Sequence, residues 1–326
     1  MRHNRHGLIL LSLGLLWSAS STVADAQSAE QQVVVSVVDS DGVPVVDLTA
    51  SDVVVTEDGA RREVLSVSRD TEPKQIALLV DTSQAVGPAA RDFQEAALAF
   101  VESMVEGNEI SIISFGGPPR ILVEATDDLA QLRDGVGNIV AYPDSASYLL
   151  DAVTETVQGF QRRSTPRPVI VVLGTLGVDF SNAEDRGTLE SLKEAGVALH
   201  PIVVARSQTA QFDTGPIARG RGIEQRSDRD RLSREQFTPE PDLGDTLQRD
   251  RFLNQSPAQT GGRRRDLLTA TSLERAVNGL SAQLRGQYLV VYSRPGILIP
   301  PEEIRVAVNR DGLDARGTPV SVESDQ

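Results

Sequence analysis

The residues best suited to chemistry follow a run of five apolar residues. Residues 75–85 are QIALLVDTSQA, so the apolar run leads directly into Asp81, Thr82 and Ser83. An unbroken apolar run that ends in turn residues is typical of a strand buried on both faces of a parallel sheet. Open α/β sheets bind their ligands at the carboxyl ends of such strands. The carboxylate and the two hydroxyls are therefore the first candidates for a binding site.

Other catalytic chemistry has little support in the chain. It has no cysteine, and His3 and His6 lie in the first 26 residues, so His200 is the one histidine beyond them. Zinc sites made of Cys and His, cysteine nucleophiles and most histidine-based triads are therefore excluded. His200 lies inside an apolar run, where a core histidine is expected. Since phosphate-loop, dinucleotide-binding and nucleophile-elbow motifs are also missing, the sequence predicts that the chain is not an enzyme.

The charge of the chain limits its partners. The formal net charge is −14, with 46 acidic and 32 basic residues. Phosphate neutralisation needs a basic face, so no nucleic-acid partner is expected. A protein or another envelope ligand is the predicted partner.

Strands and helices alternate over residues 73–294, which predicts an α/β domain. Amphipathic runs predict helices at 88–105, 129–136, 145–162, 182–195 and 271–285. Ser145 is the predicted cap of the third helix, and Thr271 with Glu274 forms a predicted capping box on the last. Apolar runs predict strands at 75–80, 109–115, 168–173, 197–204 and 287–292, with 120–125 as an antiparallel neighbour of 109–115. This order predicts a Rossmann-like, mostly parallel central sheet flanked by helices.

Residues 207–250 interrupt this alternation. They are polar, mix Arg with Asp and Glu, and contain few bulky apolar residues. Such a composition buries too little surface to offset the entropy of ordering, which predicts a mobile insertion. A functional lid is the alternative.

The two flanks of the α/β domain predict additional β structure. Short β-rich runs at 33–38, 43–48, 53–56 and 63–68 predict a small antiparallel unit over residues 27–72. Residues 295–326 contain prolines and then an alternating run at 303–309, which predicts a C-terminal strand and tail. Because neither flank can hold a core alone, we expect them to pair into one sandwich beside the α/β domain.

Residues 1–26 have the pattern of a secretory signal peptide. Arg2 and Arg5 precede an apolar stretch at 7–17 that is too short to span a bilayer. Ala24-Asp25-Ala26 supplies a small-x-small cleavage pattern, which predicts cleavage after Ala26. The mature protein is then secreted or periplasmic, with no transmembrane segment after cleavage. An uncleaved membrane anchor is the alternative.

The order of elements and several motifs resemble a von Willebrand factor type A (VWFA) domain of the kind found in exported bacterial proteins. Residues 38–59 are similar to the β segment that precedes the domain in that group, and residues 81–83 lie where its D-x-S-x-S motif belongs. Residues 147–152, SYLLDA, resemble its T-x-L-x-D-A helix start. Residues 260–262 and 287–292 resemble its late T-G-G and final-strand motifs. The resemblance covers nearly all of the chain between the signal peptide and its end, except the insertion.

The resemblance implies a metal-ion-dependent adhesion site at the carboxyl edge of the sheet. Such a site holds Mg²⁺ with hydroxyls, waters and carboxylates. Asp81 and Ser83 match its first motif and Ser147 takes its threonine position, so these three residues form a partial metal site. Ala85 replaces the second serine of the motif.

The last loop of the implied site is altered as well. It is Gly174-Thr175-Leu176-Gly177, which lacks the expected aspartate, while Asp179 lies close by at a different spacing. The adhesion site is therefore predicted to be degenerate, with no certain cofactor and Mg²⁺ as a weak ligand. Thr82, Gln84, Thr175 and Asp179 complete the predicted binding edge. Two alternatives need no metal: Asp81 accepts hydrogen bonds from loop amides, and Ser147 caps a helix.

These observations predict an exported, non-enzymatic interaction module that binds through the loops at the carboxyl edge of its sheet. Two alternatives stay open. One is a metal-dependent adhesion protein with an altered site, and the other is a structural protein of the envelope.

Overall fold

The computed structural model describes residues 28–177, 179–205, 243–296, 301 and 303–320. The predicted signal peptide, residues 207–242 of the predicted insertion and residues 321–326 lie outside this part of the chain. Within it, no helix is both long enough and apolar enough to cross a membrane.

A six-stranded sheet forms the centre of the α/β region. Its strand order is β6-β5-β4-β7-β8-β9, and every neighbouring pair is parallel except β5 with β6. The strands are β4 (Gln75–Val80), β5 (Glu109–Ser114), β6 (Arg120–Thr126), β7 (Pro168–Thr175), β8 (Ala198–Val204) and β9 (Arg265–Leu267). The predicted strand at 75–80 is central, and the predicted antiparallel pairing of 120–125 with 109–115 is confirmed.

Helices cover both faces of this sheet, as its uninterrupted apolar strands require. One face packs against α1 (Ala90–Met104), α2 (Leu129–Gly137) and α6 (Leu273–Arg285). The other face packs against α3 (Leu149–Arg162), α4 (Asp185–Glu194) and α5 (Leu243–Gln259). The predicted fold class, a mostly parallel sheet between helices with a separate antiparallel unit, is confirmed.

The antiparallel unit is a second six-stranded sheet built from both ends of the described chain. Its order is β11-β2-β3-β10-β1-β12. The strands are β1 (Ser28–Val38), β2 (Val53–Glu57), β3 (Ala60–Arg69), β10 (Tyr288–Pro295), β11 (Ile304–Val308) and β12 (Asp314–Pro319). The predicted pairing of residues 303–309 with the N-terminal unit is confirmed, because β11 runs antiparallel to β2, but the two flanks form one sheet rather than the expected sandwich. A separate apolar cluster of Val, Leu and Tyr side chains fills its interior.

Several local predictions are wrong. The strand expected at 287–292 as the last of the α/β sheet is β10, which lies between β3 and β1 in the antiparallel sheet. Residues 43–48 make one isolated bridge, at Pro44, rather than a strand. Residues 243–250, placed in the mobile insertion, are the start of α5. Two strands follow Pro295 where one was expected.

The predicted helix caps are also wrong. Helix α3 begins at Leu149, with Tyr148 at its N-cap and no side-chain capping bond from that residue. Helix α6 begins at Leu273, and its N-cap Ser272 makes no side-chain capping bond, so the capping box at Thr271 does not form.

Candidate functional site

Asp81 lies at the carboxyl edge of the α/β sheet and is completely buried. Its Oδ1 accepts a hydrogen bond from the Ser83 amide at 2.9 Å. Its Oδ2 accepts from the Thr175 hydroxyl at 2.7 Å and from the Thr175 amide at 3.2 Å. Both carboxylate oxygens therefore accept hydrogen bonds from protein donors. Two of these donors are backbone amides, one in the loop after β4 and one at the end of β7, in line with the metal-free alternative.

A second hydrogen-bonded group forms around Asp179. Its Oδ2 accepts from the Leu149 amide at 2.8 Å and from the Ser147 hydroxyl at 3.2 Å, and its Oδ1 accepts from the Ser181 amide at 3.1 Å. Asp179 thus supplies the N-terminal cap of α3 that neither Ser145 nor Ser147 provides. An aspartate that follows β7 in sequence fixes the start of a helix that precedes β7.

The loops above the sheet edge are joined by a short ladder of backbone hydrogen bonds. Ser147 forms bridges with Gly116 on one side and Asp179 on the other. The Gly117 amide donates to the Ala146 carbonyl at 2.8 Å, and the Phe180 amide donates to the Ser147 carbonyl at 2.8 Å. This ladder joins the loops at the carboxyl ends of the strands, and the polar side chains at this edge are buried. We call this arrangement the closed edge.

Thr82 connects the ladder to the central strand. Its hydroxyl accepts from the Gly116 amide at 3.0 Å, and its carbonyl accepts from the Tyr142 amide at 2.9 Å. A Cβ on Gly116 would lie 2.1 Å from the Thr82 carbonyl carbon and 2.2 Å from the Ser83 nitrogen. Only glycine allows the two loops to approach this closely.

The structure brings the predicted site residues together, in two groups rather than one. Asp81, Ser83 and Thr175 form the first group, and Ser147 and Asp179 form the second. All of these side chains and that of Thr82 are buried. Gln84 is exposed at the rim, and its backbone amide donates to the Ser145 carbonyl at 3.2 Å.

Three further residues of this edge were missed from the sequence. Val140 and Tyr142, with 44% and 38% of their surface exposed, follow α2, and the Tyr142 amide donates to the Thr82 carbonyl. Arg249 on α5 is buried beneath the edge, and its Nη2 donates to the Thr175 carbonyl at 2.5 Å. Arg249 could not have been found, because the sequence placed it in a mobile insertion.

As arranged, these residues do not fit the Mg²⁺ site that the resemblance implies. An Mg²⁺ ion needs an octahedron of accessible oxygens. Here each carboxylate is buried and already accepts bonds from amide and hydroxyl donors, and the two carboxylates belong to separate groups. Among the described residues, no group of three or more His, Cys, Asp or Glu side chains could hold a metal ion.

The order of strands and the loops at this edge define an open α/β sheet of the von Willebrand type. Residues 76–175 match the family model of the von Willebrand factor type A domain, and the chain therefore contains such a domain. Domains of this family mediate protein interactions. The matched residues run from β4 to the end of β7 and include both groups of the edge except Asp179.

Solved structures with a similar fold have low sequence identity to this chain. One is a von Willebrand factor type A protein from Catenulispora acidiphila, at 8% identity and a TM-score of 0.47, over 90% of this chain and 74% of that one. Proximal thread matrix protein 1 from the mussel byssus has 11% identity and a TM-score of 0.45 over 73% of this chain. BatB from Bacteroides thetaiotaomicron has 16% identity and a TM-score of 0.39, over 65% of this chain and 98% of that one.

The mussel protein is longer than the matched region, and this chain spans 50% of its length. No curated protein sequence matches the chain.

Proposed function

We propose that this chain is an exported, non-enzymatic interaction module that binds a protein or another envelope ligand at the carboxyl edge of its α/β sheet, without an obligatory metal. The observation that carries the proposal is the closed edge. Both carboxylate oxygens of Asp81 accept hydrogen bonds from protein donors. The fold of an adhesion site is therefore kept, while its central carboxylate binds the neighbouring loop and strand end instead of a metal. The site is in this sense degenerate.

The proposed contact surface is the rim of the edge rather than its buried interior. Tyr142 and Val140 are exposed beside the loop that contains Thr82 and Gln84. Leu268, 90% exposed, follows β9 at the same edge, because β9 runs parallel to β8. Exposed aromatic and aliphatic side chains that cluster at one end of a soluble domain favour a protein partner.

The chemistry of the edge supports a binding role over a catalytic one. The hydroxyls of Thr175 and Ser147 donate to carboxylates that also accept bonds from backbone amides. A nucleophile needs an accessible oxygen beside an oriented base. His200, the histidine that could be such a base, is buried in β8.

The export part of the proposal rests on residues 1–26, which have the composition of a signal peptide with cleavage after Ala26. The mature chain would then begin at Gln27 in the periplasm or outside the cell.

The test is affinity capture from the exported fraction with the chain from residue 27 as bait, in parallel with Mg²⁺ and with EDTA. A captured partner is then titrated against Tyr142→Ala, with Ile121→Ala as the matched control. Ile121 is 58% exposed on the outer strand β6. We expect Tyr142→Ala to weaken binding about tenfold or more, Ile121→Ala to leave it unchanged, and EDTA to have no effect.

Two results would contradict the proposal. Equal affinity of the wild type and the Tyr142→Ala and Val140→Ala variants would remove this rim as the contact surface. A partner lost in EDTA, together with saturable heat on titration with Mg²⁺, Mn²⁺ or Ca²⁺, would instead favour metal-dependent adhesion through an altered site.

A further inference from the structure

Arg249 is a buried cation whose charge the fold must balance. Its surface is 1% exposed, and it is among the largest fully buried side chains of the described residues. Its Nη2 donates to the Thr175 carbonyl, while its Nε and Nη1 are buried and have no hydrogen-bond partner among the described residues. A buried guanidinium without a compensating charge is strongly destabilising. A nearby anion is therefore required.

Asp81 is the buried carboxylate that lies across Thr175 from it, although no ion pair within 4.0 Å joins the two side chains. The Asp81 amide donates to the Leu173 carbonyl at 2.8 Å, which sets Asp81 next to Gly174 across the β4–β7 pair. Leu79 packs in the same apolar cluster as Phe115, and the alternation of strand side chains puts Asp81 on that face too. A Cβ on Gly174 would lie 3.5 Å from Arg249 Nη2 and 3.7 Å from Phe115 Cζ. Arg249 and Asp81 thus approach Gly174 from the same side of the sheet.

Thr175 links the two charges directly. Its carbonyl accepts the bond from Arg249, while its amide and hydroxyl both donate to Asp81. The guanidinium of Arg249 therefore fixes the backbone of Thr175, and Thr175 in turn positions the Asp81 carboxylate. The guanidinium packs directly over Gly174, at ordinary van der Waals distance from where a Cβ would lie.

We propose that the buried guanidinium of Arg249 balances the negative charge of Asp81 from inside the core. In the metal-ion-dependent adhesion site that the sequence resembles, a divalent metal would balance that charge. Arg249 is a positioning residue, because it acts on the loops through Thr175 and Asp81. The inference deepens the proposed metal-independent function and shares its premise of a closed edge. It concerns the free protein, so it can fail or hold whether or not a partner is found.

The test is a double-mutant cycle in urea unfolding on the chain from residue 27. Arg249→Gln keeps a donor and removes the charge, and Asp81→Asn keeps the shape and an acceptor. We expect Arg249→Gln to raise the unfolding equilibrium constant about 100-fold or more, because it leaves one buried charge unpaired. In the Asp81→Asn background the same change should cost at least about tenfold less, a coupling of about 1.4 kcal/mol.

The control cycle pairs Asp81→Asn with Arg251→Gln. Arg251 lies on the same helix but is half exposed and forms an ion pair with Asp185. Its cycle should be additive within about twofold. Additive effects in both cycles would overturn the proposal, because Arg249 would then be a packing residue with one hydrogen bond.

Two further comparisons apply if Arg249→Gln does not fold. Arg249→Lys keeps the charge, so it should unfold less readily than Arg249→Gln, and Asp81→Asn should restore folding to Arg249→Gln. Lysine and glutamine variants that behave alike, or a double variant no better folded than Arg249→Gln, would contradict the proposed charge pair.

Discussion

At the scale of residues, Asp179 illustrates what the sequence could not reveal. It follows the strand that ends at Thr175 and does not align with the aspartate of the family pattern, yet it is buried and accepts three hydrogen bonds. A local capping rule favoured Ser145, because it considers only neighbours in sequence. The amide of Leu149 instead finds its acceptor on a segment thirty residues away. A tertiary contact from Asp179 therefore caps α3 in place of a neighbouring serine.

Asp81, by contrast, was found from the sequence because two local signals coincided. An apolar run placed it at a strand end, and turn residues followed it. Its hydrogen bonds to Ser83 and Thr175 agree with the amide-binding alternative. The sequence thus predicted the location of the site, while the side chains that occupy its oxygens needed the fold.

His200 leads to a prediction about pH. It is completely buried in β8, and its Nδ1 accepts from the Arg263 amide at 3.4 Å. Burial, together with the charges of Arg265 and Arg263, lowers the pKa of His200 to about 3. Unfolding restores an ordinary pKa near 6.5, so the unfolded chain binds one more proton between these two values. Stability from the neutral imidazole is therefore complete above pH 6.5 and is lost progressively as the pH falls toward 3.

The measurement is urea unfolding of wild type and His200→Asn between pH 7 and pH 4. The wild type should lose up to about 1.4 kcal/mol more per pH unit than the variant. The variant retains an acceptor for Arg263 but does not titrate, so carboxylate titrations cancel in the comparison. Parallel pH profiles would mean that His200 is protonated in the folded state or does not stay buried.

At the scale of elements, the α/β strands were predictable and two segments were not. Strands β4, β7 and β8 are almost entirely apolar because helices cover both of their faces, and that pattern is visible in sequence. Strand β10 alternates between buried and half-buried residues, and it lies in a sheet assembled from both ends of the chain. Its sheet depends on pairing over more than two hundred residues, which no local pattern encodes. Helix α5 was missed because its first turns are polar.

Gly116 yields a prediction about the loop ladder. Gly116→Ala would place a methyl group against the backbone of residues 82 and 83, so the two loops must separate. We expect a loss of about 1–3 kcal/mol in the free energy of unfolding, as for other overpacked sites. Gly137→Ala is the matched control, because a Cβ at Gly137, the last residue of α2, would meet nothing within 4 Å.

Gly137→Ala should change the free energy of unfolding by no more than about 0.5 kcal/mol. Chemical unfolding of the three proteins side by side gives the comparison. A Gly116→Ala variant as stable as the Gly137→Ala variant would show that the loops above Asp81 can move apart freely.

At the scale of the whole molecule, the chain folds into two cores, and a buried group of charged side chains is one of the contacts between them. The antiparallel sheet has its own apolar cluster, separate from the two clusters on the faces of the α/β sheet. Asp70 lies between β3 and β4, is buried, and pairs with Lys74 at 3.0 Å and Arg167 at 3.1 Å. These ion pairs link the segment between β3 and β4, which connects the two sheets, to Arg167 directly before β7.

The C-terminal strands complete the antiparallel core. Strand β12 pairs with β1, and β11 pairs with β2. The two outer strands also approach each other, because a Cβ on Gly317 would lie 2.5 Å from Val306 and 2.9 Å from Val33. Removing both strands would therefore open the interior of this sheet to water from two sides.

We predict that deletion of residues 297–326 will loosen the antiparallel sheet and leave the α/β sheet folded. The deletion uncovers Val33 and Val55, which are fully buried in the antiparallel core, and removes the partners of one edge of β1 and of β2. The helices that cover β4 and β7 belong to the other two clusters and keep their apolar neighbours, while the deletion removes polar contacts such as Thr318 with Thr260 and Asp314 with Arg263. Hydrogen exchange should then lose protection about tenfold or more in β1 and β2, while β4 and β7 keep theirs.

The matched control is deletion of residues 321–326 alone, which keeps β11 and β12 and should leave every strand protected. Loss of protection in β4 and β7 as well would mean that the two cores unfold as one cooperative unit, coupled through Asp70 and its cations. Unchanged protection in β1 would mean that β10 and β3 suffice to hold it. In the predicted outcome, the carboxyl edge around Asp81 remains folded without the C-terminal strands, and the binding surface then belongs to the α/β sheet alone.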